Sequence, residues 1–430
     1  MTSAAERPIA ILSAPGSRGD VNPMVSIGRE LRKRGFDVVI SLAENYAEVA
    51  EANGLMAERL ISEDEFNLMI SDPNVWKPIS GVRAVLRDAA GKFLEPHLSV
   101  IQKYHRPGKT ILVAHPLDFA SRIFRDHETT TPMVSIQLSP AIVRNADNPP
   151  RLSPWRFEPR RPPWLVQAAY AMADYLIADR FLSPSVNLTR KRLGLKPVTR
   201  ILDRWWLSPD LVLGLYPKWF GDSRPACQGE WQACGFPLQR DQKYQSTTAT
   251  SSNHDKPIFF TPGTAHQHAK EFFVNAVQAC AIIGMKCILA TSQSEQLPTT
   301  LPVHATAVGY VNLDEVLRKC AAIVHHGGIG TTAMAFSTGC PQVVCPMAFD
   351  QFHNADRVER LGVGQTVAQG VWNQSQANAN RLANTISRVI GNRDTQQRCN
   401  EFAVLDPDYQ GAVVAANAII ALLRQAIRSQ

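Results

Sequence analysis

The sequence contains little charge and lacks several patterns that would assign a protein class at once. Charged residues make up 19% of the 430 residues and apolar residues 45%, as in an ordinary globular protein. The eight cysteines form no C-x-x-C pair and have no histidines at metal-ligand spacing, so we expect reduced thiols and no zinc site. The one D-x-D motif, at 406–408, has a central proline typical of a turn. We therefore expect no metal.

Long apolar segments are also missing. No apolar run reaches the roughly 18–20 residues that span a bilayer, and residues 1–8 lack the apolar core of a secretory signal. The expected location is the cytoplasm, either free or in peripheral contact with the inner face of the membrane. The first glycine loop, 14–20, lacks the spaced G-x-G-x-x-G of dinucleotide sites, which argues against a dehydrogenase.

Alternating strand and helix patterns predict an α/β protein with two doubly wound halves. A chain of 430 residues exceeds the usual size of one hydrophobic core. Residues 9–14 are typical of a buried strand, 23–34 of a helix ended by Gly35, and 37–42 of the next strand. Further strands are predicted at 110–114, 133–137, 211–215, 257–261 and 286–290, and further helices at 271–283 and 412–428.

The segment 321–364 carries the strongest functional pattern. A short apolar strand is followed by H-H-G-G-I-G-T-T at 325–332 and by a helix that Gly339 ends. Unpaired N–H groups and the positive dipole at a helix start attract anions, and His325 and Thr331 can add hydrogen bonds. A tight turn with glycines for packing alone is the alternative. The paired histidines, the paired threonines and Asp350-Gln351 supply polar groups that packing does not need.

This segment resembles the nucleotide-sugar signature of the inverting UDP-glycosyltransferase superfamily. The resemblance extends over almost the whole chain, through S-R-G-D-V-N-P at 17–23, G-F-P-L at 235–238 and D-Q-F-H-N-A at 350–355. Within the superfamily, the motifs look most similar to the sterol and lipid glucosyltransferases and to the rhamnosyltransferases of bacterial rhamnolipid synthesis.

The resemblance implies a GT-B fold, in which two Rossmann-like domains face each other across a cleft and a C-terminal helix crosses back to the first domain. The implied domains are an acceptor-binding domain (1–238), a linker (239–256), a nucleotide-sugar-binding domain (257–407) and a terminal helix (408–430). The polar composition of 239–256 is itself typical of a linker or mobile loop.

The resemblance also assigns the donor site residue by residue. Asp350 and Gln351 would bind the hydroxyls of the donor sugar, with possible support from Asn354. Tyr310 and Val311 would bind the nucleobase. The donor diphosphate would be held by Gly263, Thr264, His325, Gly328, Ile329, Gly330 and Thr331. The alternatives are an exposed loop acid at Asp350 and simple packing of Tyr310.

One position departs from the superfamily pattern. Many members carry a glutamate near the end of the phosphate-loop helix that binds the ribose hydroxyls, whereas this chain has Ala333. A carboxylate is the usual partner of a ribose 2′-OH. Its absence suits a deoxythymidine diphosphate sugar such as dTDP-rhamnose, although similar sterol glucosyltransferases also lack the acid and use UDP-glucose.

Asp20 is the candidate general base in the first βα loop. Inverting transfer needs a group that takes the proton of the acceptor hydroxyl, and superfamily members with this loop sequence have aspartate where others have histidine. The alternative is that Asp20 caps a helix beginning near Pro23. Arg18 is expected to steer the diphosphate or an anionic acceptor. The remaining lone histidines are expected to be structural: His97, His115, His304 and His353.

The positive charge is concentrated in residues 144–206. This segment has twelve Arg and Lys residues against five Asp and Glu residues, a surplus of seven that equals the net charge of the whole chain, +7. It also contains Trp155, Trp164, Trp205 and Trp206. Such a surface suits an anionic lipid or an amphiphilic acceptor better than nucleic acid; a solvated basic face with buried tryptophans is the alternative.

The expected function is therefore that of a hexosyltransferase without cofactor or metal, which moves a hexose from dTDP-rhamnose or UDP-glucose to a hydroxyl of a lipid-like or other hydrophobic acceptor. A sterol or polyketide glucosyltransferase using UDP-glucose is the alternative enzyme. A nucleotide-sugar-binding partner subunit without turnover is the alternative from another class.

Overall fold

The computed structural model describes residues 7–147, 149–152, 162–221, 227–238, 256–367, 372–405 and 409–429. The predicted linker (except Lys256), the D-x-D motif and Trp155 lie outside these ranges. The predicted domain boundaries therefore remain predictions.

The first domain is built on a parallel sheet of seven strands in the described residues. Its strand order, β3-β2-β1-β4-β5-β6-β7, reverses direction next to β1, as in a doubly wound fold. The central strands are buried along their whole length, which explains their continuous apolar runs. The strands are β1 (Ile9–Ala14), β2 (Asp37–Ala43), β3 (Met56–Ile61), β4 (Thr110–Ala114), β5 (Met133–Gln137), β6 (Leu211–Gly214) and β7 (Glu230–Ala233).

Helices cover both faces of this sheet. The α-helices are α1 (Arg18–Lys33), α2 (Ala47–Ala52), α3 (Glu63–Ser71), α4 (Pro78–Asp88), α5 (Leu94–Tyr104), α6 (Ala120–His127), α7 (Pro163–Ala173) and α8 (Asp179–Arg192). Short π-helical turns lie at Ala89–Phe93, Asp174–Ala178 and Ile201–Trp205, and short 3₁₀ turns at Glu44–Tyr46, Pro73–Trp76 and Pro140–Ile142. The turn at Asp174–Ala178 joins α7 to α8 in one continuous helical segment.

The second domain repeats the architecture with six parallel strands in the order β10-β9-β8-β11-β12-β13. The strands are β8 (Ile258–Thr261), β9 (Cys287–Ala290), β10 (Ala305–Val308), β11 (Ala322–His325), β12 (Gln342–Val344) and β13 (Gly364–Thr366). The helices are α9 (Lys270–Ile283), α10 (Leu313–Leu317), α11 (Ile329–Thr338), α12 (Gln351–Arg360), α13 (Gln376–Gly391) and α14 (Arg393–Ala403), with a 3₁₀ turn at Ser294–Gln296.

The last helix, α15 (Gly411–Arg428), returns to the first domain. Its buried residues, among them Ala415, Ile419 and Leu423, belong to the same apolar cluster as β1 and α1. By length and mean hydropathy, 1.3 over 18 residues, α15 resembles a membrane-spanning segment. Packing against the first core accounts for its apolar composition.

Two sequence-based expectations need correction or refinement. Helix α1 begins at Arg18 rather than near Pro23, because Ser17 and Asp20 form a capping box that starts the helix one turn earlier. Asp20 is therefore the third helical residue rather than the N-cap, and its side chain completes the capping box by accepting from the Ser17 N–H. The tryptophans of the basic segment differ in exposure: Trp205 is buried, whereas Trp164 is 66% exposed.

All eight cysteines are free, and seven of them are buried.

Candidate functional site

A cavity of about 1370 Å³ lies between the carboxyl ends of the two sheets. Each sheet changes winding direction between its first and fourth strands along the chain, β1 and β4 in one domain and β8 and β11 in the other. Loops at such switch points diverge and leave a crevice that holds ligands. The cavity wall accordingly carries the loops after β1 and β4 from one side and those after β8 and β11 from the other.

The glycine-rich turn after β11 presents His326, not His325, to this cavity. His325 is fully buried; its Nε2 donates to the side-chain Oε1 of Gln342 at 3.1 Å, and its Nδ1 accepts from the Gly327 N–H at 3.2 Å. Its assignment to the diphosphate is therefore wrong: His325 ends a buried strand, and its side chain points into the core. The next residue points to the opposite face, because side chains alternate along a strand.

His326 occupies a slot between two glycines. A Cβ on Gly263 would lie 2.5 Å from the His326 ring, and a Cβ on Gly328 would lie 2.4 Å from its Nε2. Gly263 also has a φ of +89°, which suits glycine. Burial, and then the charges of His325 and His266, lower the pKa of His326 to about 3, so the ring is neutral at pH 7. A neutral imidazole offers one N–H donor to an anion.

Helix α11 begins at the same turn, with Gly328 as its first flanking residue. The N–H groups of Ile329, Gly330 and Thr331 precede the first intrahelical bond, which runs from the Thr332 N–H to the Gly328 carbonyl. These three residues line the cavity, as do Gly263 and Thr264 from the loop after β8. The arrangement can hold a phosphate with backbone donors and the helix dipole.

Asp350 and Gln351 line the cavity at the start of α12, and each is held by further hydrogen bonds. Asn354 donates to Asp350 Oδ2 at 2.8 Å and to the Gly327 carbonyl at 2.9 Å, and it accepts from Ser139 of the first domain at 3.2 Å. Gln351 Oε1 accepts from the N–H groups of residues 347 and 348, which leaves its amide N–H as the donor for a ligand. Asn354 thus connects the Asp350 carboxylate, the glycine turn and the facing domain.

Tyr310 and Val311 also line the cavity. Tyr310 is 69% exposed, and the Arg18 guanidinium of the first domain lies 4.2 Å from its ring centroid. An exposed ring of this kind can stack on a nucleobase, and the cation–π contact shows that Arg18 reaches across the cleft to the same ring. Arg18 therefore lies nearer the predicted nucleobase position than the sequence implied.

Asp20 faces the cavity from the first domain with 30% of its side chain exposed. Its Oδ2 accepts from the Ser17 N–H at 2.7 Å, and its Oδ1 lies 3.1 Å from His115 Nε2. His115 Nδ1 accepts from the Leu117 N–H, so in the neutral ring the proton is on Nε2 and points to Asp20. Burial raises the pKa of Asp20, but the hydrogen bond and charge of His115 and the Ser17 donors outweigh it and lower the pKa below its usual value.

Comparison with known proteins finds relatives over most of the chain. Residues 276–407 match the family described as erythromycin biosynthesis protein CIII-like, C-terminal domain. The chain is 26% identical over 373 residues to a dTDP-epi-vancosaminyltransferase of Amycolatopsis orientalis, covering 83% of this chain and 85% of the relative. It is 27% identical over 390 residues to an O-mycaminosyltylonolide 6-deoxyallosyltransferase of Streptomyces fradiae, covering 82% and 84%.

Solved structures show the same two-domain fold. The calicheamicin glycosyltransferase CalG4 superposes with a TM-score of 0.68 at 19% identity, over 98% of this chain and 99% of that one. The spinosyn rhamnosyltransferase SpnG with thymidine diphosphate superposes with a TM-score of 0.62 at 17% identity, over 97% and 100%. The chain is a glycosyltransferase with the GT-B fold. The homologues also support the UDP-glycosyltransferase superfamily that the motifs indicate, without selecting a branch.

The structure brings the residues predicted to bind the donor, other than His325, together on one cavity, and it adds two histidines that the motifs do not indicate, His326 and His115. The motif assigns the diphosphate to His325 rather than to His326. The signal that distinguishes the two is the alternation of side chains along a strand, which directs neighbouring residues to opposite faces. His115 was expected to be structural. The signal was its position directly after β4, the strand that pairs with β1, since this places it beside the loop that carries Asp20.

Part of the cavity wall is apolar. Phe66, Val75, Trp76 and Leu86 line it from α3, α4 and the intervening turn, and Ile177 lines it from the π-turn after α7. Ligand pockets of this composition bind hydrophobic bodies and orient them through a few polar groups. In this glycosyltransferase Asp20 and His115, which follow the two strands at the switch point of the first domain, supply polar groups to the same cavity.

Replacing His115 should change how activity depends on pH. In His115→Ala the burial of Asp20 is opposed only by the Ser17 donors, so the pKa of Asp20 should rise. Because a base must be deprotonated, the acidic limb of the kcat/KM profile should move to higher pH. His115→Gln, whose amide can donate to Asp20, should move it less. An unchanged limb in the alanine variant would show that His115 has only a packing role.

Replacing Asp350 should stabilise the folded protein at neutral and alkaline pH. Burial, together with the charge of Asp20, raises the pKa of Asp350 to about 6 against a hydrogen bond from Asn354. The stability linked to its protonation is present below about pH 4 and is lost as the pH rises through 6. Asp350→Asn should therefore have a higher Tm than wild type at pH 8 and an equal one at pH 4. Glu295→Gln, at an exposed carboxylate, is the control; a Tm difference independent of pH would contradict the argument.

Proposed function

We propose that this glycosyltransferase moves a hexose, with inversion, from a nucleotide diphosphate sugar to a hydroxyl of a hydrophobic acceptor. The observation that supports this most is the arrangement of Asp20 with His115 opposite Asp350 and His326 across one cavity. One side offers a proton acceptor, and the other offers sugar- and phosphate-binding groups. Asp20 and His115 line this cavity from the first domain, and Asp350 and His326 line it from the second.

The proposed step forms one bond and breaks one. The acceptor oxygen attacks the anomeric carbon while its proton passes to Asp20, and the bond from that carbon to the diphosphate oxygen breaks with its electron pair. His115 holds the Asp20 carboxylate in place. The N–H groups at the start of α11 and the His326 N–H stabilise the charge that develops on the diphosphate.

A deoxythymidine diphosphate sugar, such as dTDP-rhamnose, is the donor we favour. Ala333 lines the cavity where many superfamily members carry the ribose-binding glutamate. The names of two similar proteins also mention deoxythymidine nucleotides or thymidine diphosphate. UDP-glucose is the alternative donor, as in the sterol branch that the motifs resemble.

A donor and acceptor panel tests this proposal. The protein is incubated with dTDP-rhamnose or UDP-glucose and with hydroxylated lipids, sterols or polyketides, and products are detected by mass spectrometry. We expect glycosylated hydrophobic product with the dTDP donor. Transfer from UDP-glucose alone would favour the sterol or polyketide alternative. Donor binding by calorimetry without turnover on any acceptor would favour a partner subunit.

We further propose that transfer takes place in the cytoplasm. We also propose that it needs no metal, because the N–H groups at the start of α11 and His326 can stabilise the negative charge that a cation would otherwise stabilise. Chelation tests this directly. The rate should be unchanged after treatment with EDTA and unchanged by added Mg²⁺. A loss of activity on chelation that Mg²⁺ restores would overturn it.

A further inference from the structure

The helical segment α7 with its π-turn has an exposed apolar face. From residue 163 to 173 the sequence has no charge, and its polar side chains are those of Gln167 and Tyr170. A helix that is apolar all round is normally buried in a core or a membrane. Here only Val166 and Asp174 are fully buried between residues 163 and 177.

The exposed side chains form a stripe. They follow helical spacing and are large: Trp164 is 66% exposed, Leu165 38%, Met172 61%, Tyr175 80% and Leu176 55%. In the described residues these five are a third of the fifteen exposed large apolar side chains, within thirteen positions. Exposed apolar residues are usually scattered, and a contiguous group marks an interaction surface.

Positive charge follows this stripe along the chain. Residues 162–206 contain seven Arg and Lys residues and three Asp residues. Asp174 is paired with Arg144, Asp179 accepts from the N–H groups of residues 200 and 201, and Asp203 is paired with Arg200. The acids are thus engaged within the domain. Exposed cations remain at Arg180, one turn beyond Leu176, and at Lys191 and Lys196.

We propose that this face docks on an anionic lipid bilayer. Aromatic and aliphatic side chains would enter the interface while the flanking cations contact acidic head groups. A second copy of the chain fits less well, because it would bring two segments of the same net positive charge together, whereas an anionic surface complements that charge. Trp164, Met172, Tyr175 and Leu176 provide the inserting surface.

The opposite face of the same segment lines the cavity. Ala169, Tyr170, Ala173 and Ile177 belong to its wall, so one helix separates the bilayer from the acceptor side of the cleft. A lipid acceptor would then pass directly from the bilayer into the cavity. This consequence rests on the proposed function, whereas docking itself requires neither donor nor turnover.

Vesicle sedimentation tests the docking. The full-length protein is mixed with vesicles of phosphatidylcholine alone or with a quarter phosphatidylglycerol, without any nucleotide sugar. The test variant is Met172→Asp with Leu176→Asp. The control is Val303→Asp with Val404→Asp, two exposed apolar positions on the second domain, 106% and 76% exposed. Light scattering on a sizing column reports the oligomeric state of each protein.

We expect wild type and control to bind the anionic vesicles, with weaker binding in 0.5 M NaCl, and the test variant to bind about tenfold less. Equal binding of the test variant, equal binding to neutral vesicles, or no binding at all would overturn the proposal. A dimer that the test variant dissociates would show that a second copy covers this face. Because the assay uses no donor, its failure is distinct from failure of the proposed transfer.

Discussion

Asp20→Asn should lower kcat by about 10²–10⁴-fold while leaving donor affinity unchanged. Asparagine has the same shape and can still accept from the Ser17 N–H, so the start of α1 should be preserved. It cannot take up the proton of the acceptor hydroxyl. Steady-state rates give kcat, and calorimetry with the nucleotide diphosphate gives the affinity.

The matched control for Asp20 is Ser17→Ala. Removing the Ser17 hydroxyl disturbs the same capping box but leaves the carboxylate in place, so kcat should stay within a few-fold of wild type, with a loss of helix-cap stability of about 1 kcal/mol. If Asp20→Asn retained turnover, the proton would have another acceptor. If both variants lost activity equally, the local fold of α1 rather than the carboxylate would be responsible.

His326→Ala should lower kcat by about 10²–10³-fold, the usual cost of removing one preorganised donor from a developing negative charge. His325→Ala, one residue earlier, should act mainly on stability. It removes a buried ring that contacts Gln342 and the Gly327 N–H, and leaves both groups without a partner. Rates and thermal unfolding of the two variants are compared side by side.

The two adjacent histidines have different expected effects, so comparing their variants shows which of the two rings faces the diphosphate. The orientation of the strand end predicts a catalytic loss with little change in Tm for His326 and a lower Tm for His325. The reverse result would show that the motif binds phosphate through its first histidine, as the resemblance implied, and that the slot between Gly263 and Gly328 has another use.

The fold was predictable because strand and helix periods are local properties of the sequence. Buried parallel strands gave continuous apolar runs, and Gly35, Gly284 and Gly339 follow helix ends in the structure. The sequence pattern predicts the start of α1 near Pro23, whereas the capping box at Ser17 begins the helix earlier. A side-chain contact decided that boundary, not a residue propensity.

The sequence predicts which side chains lie together in the site when one loop supplies them. It does not predict contacts between side chains from two loops that are far apart in the sequence. Gly328, Gly330 and Thr331 are neighbours in sequence, so their shared place on the cavity followed from the motif. His115 lies 95 residues from Asp20, and only the pairing of β4 with β1 brings them together. The link from Ser139 to Asn354 crosses the cleft and depends on the packing of two domains.

A crystal structure of Asp20→Asn with dTDP and a hydroxylated lipid would test the central claim most directly. The account predicts diphosphate oxygens within about 3.2 Å of the His326 ring and of the N–H groups at the start of α11. It also predicts the acceptor hydroxyl within hydrogen-bond distance of residue 20. A diphosphate bound away from α11, or an acceptor hydroxyl directed away from residue 20, would contradict it.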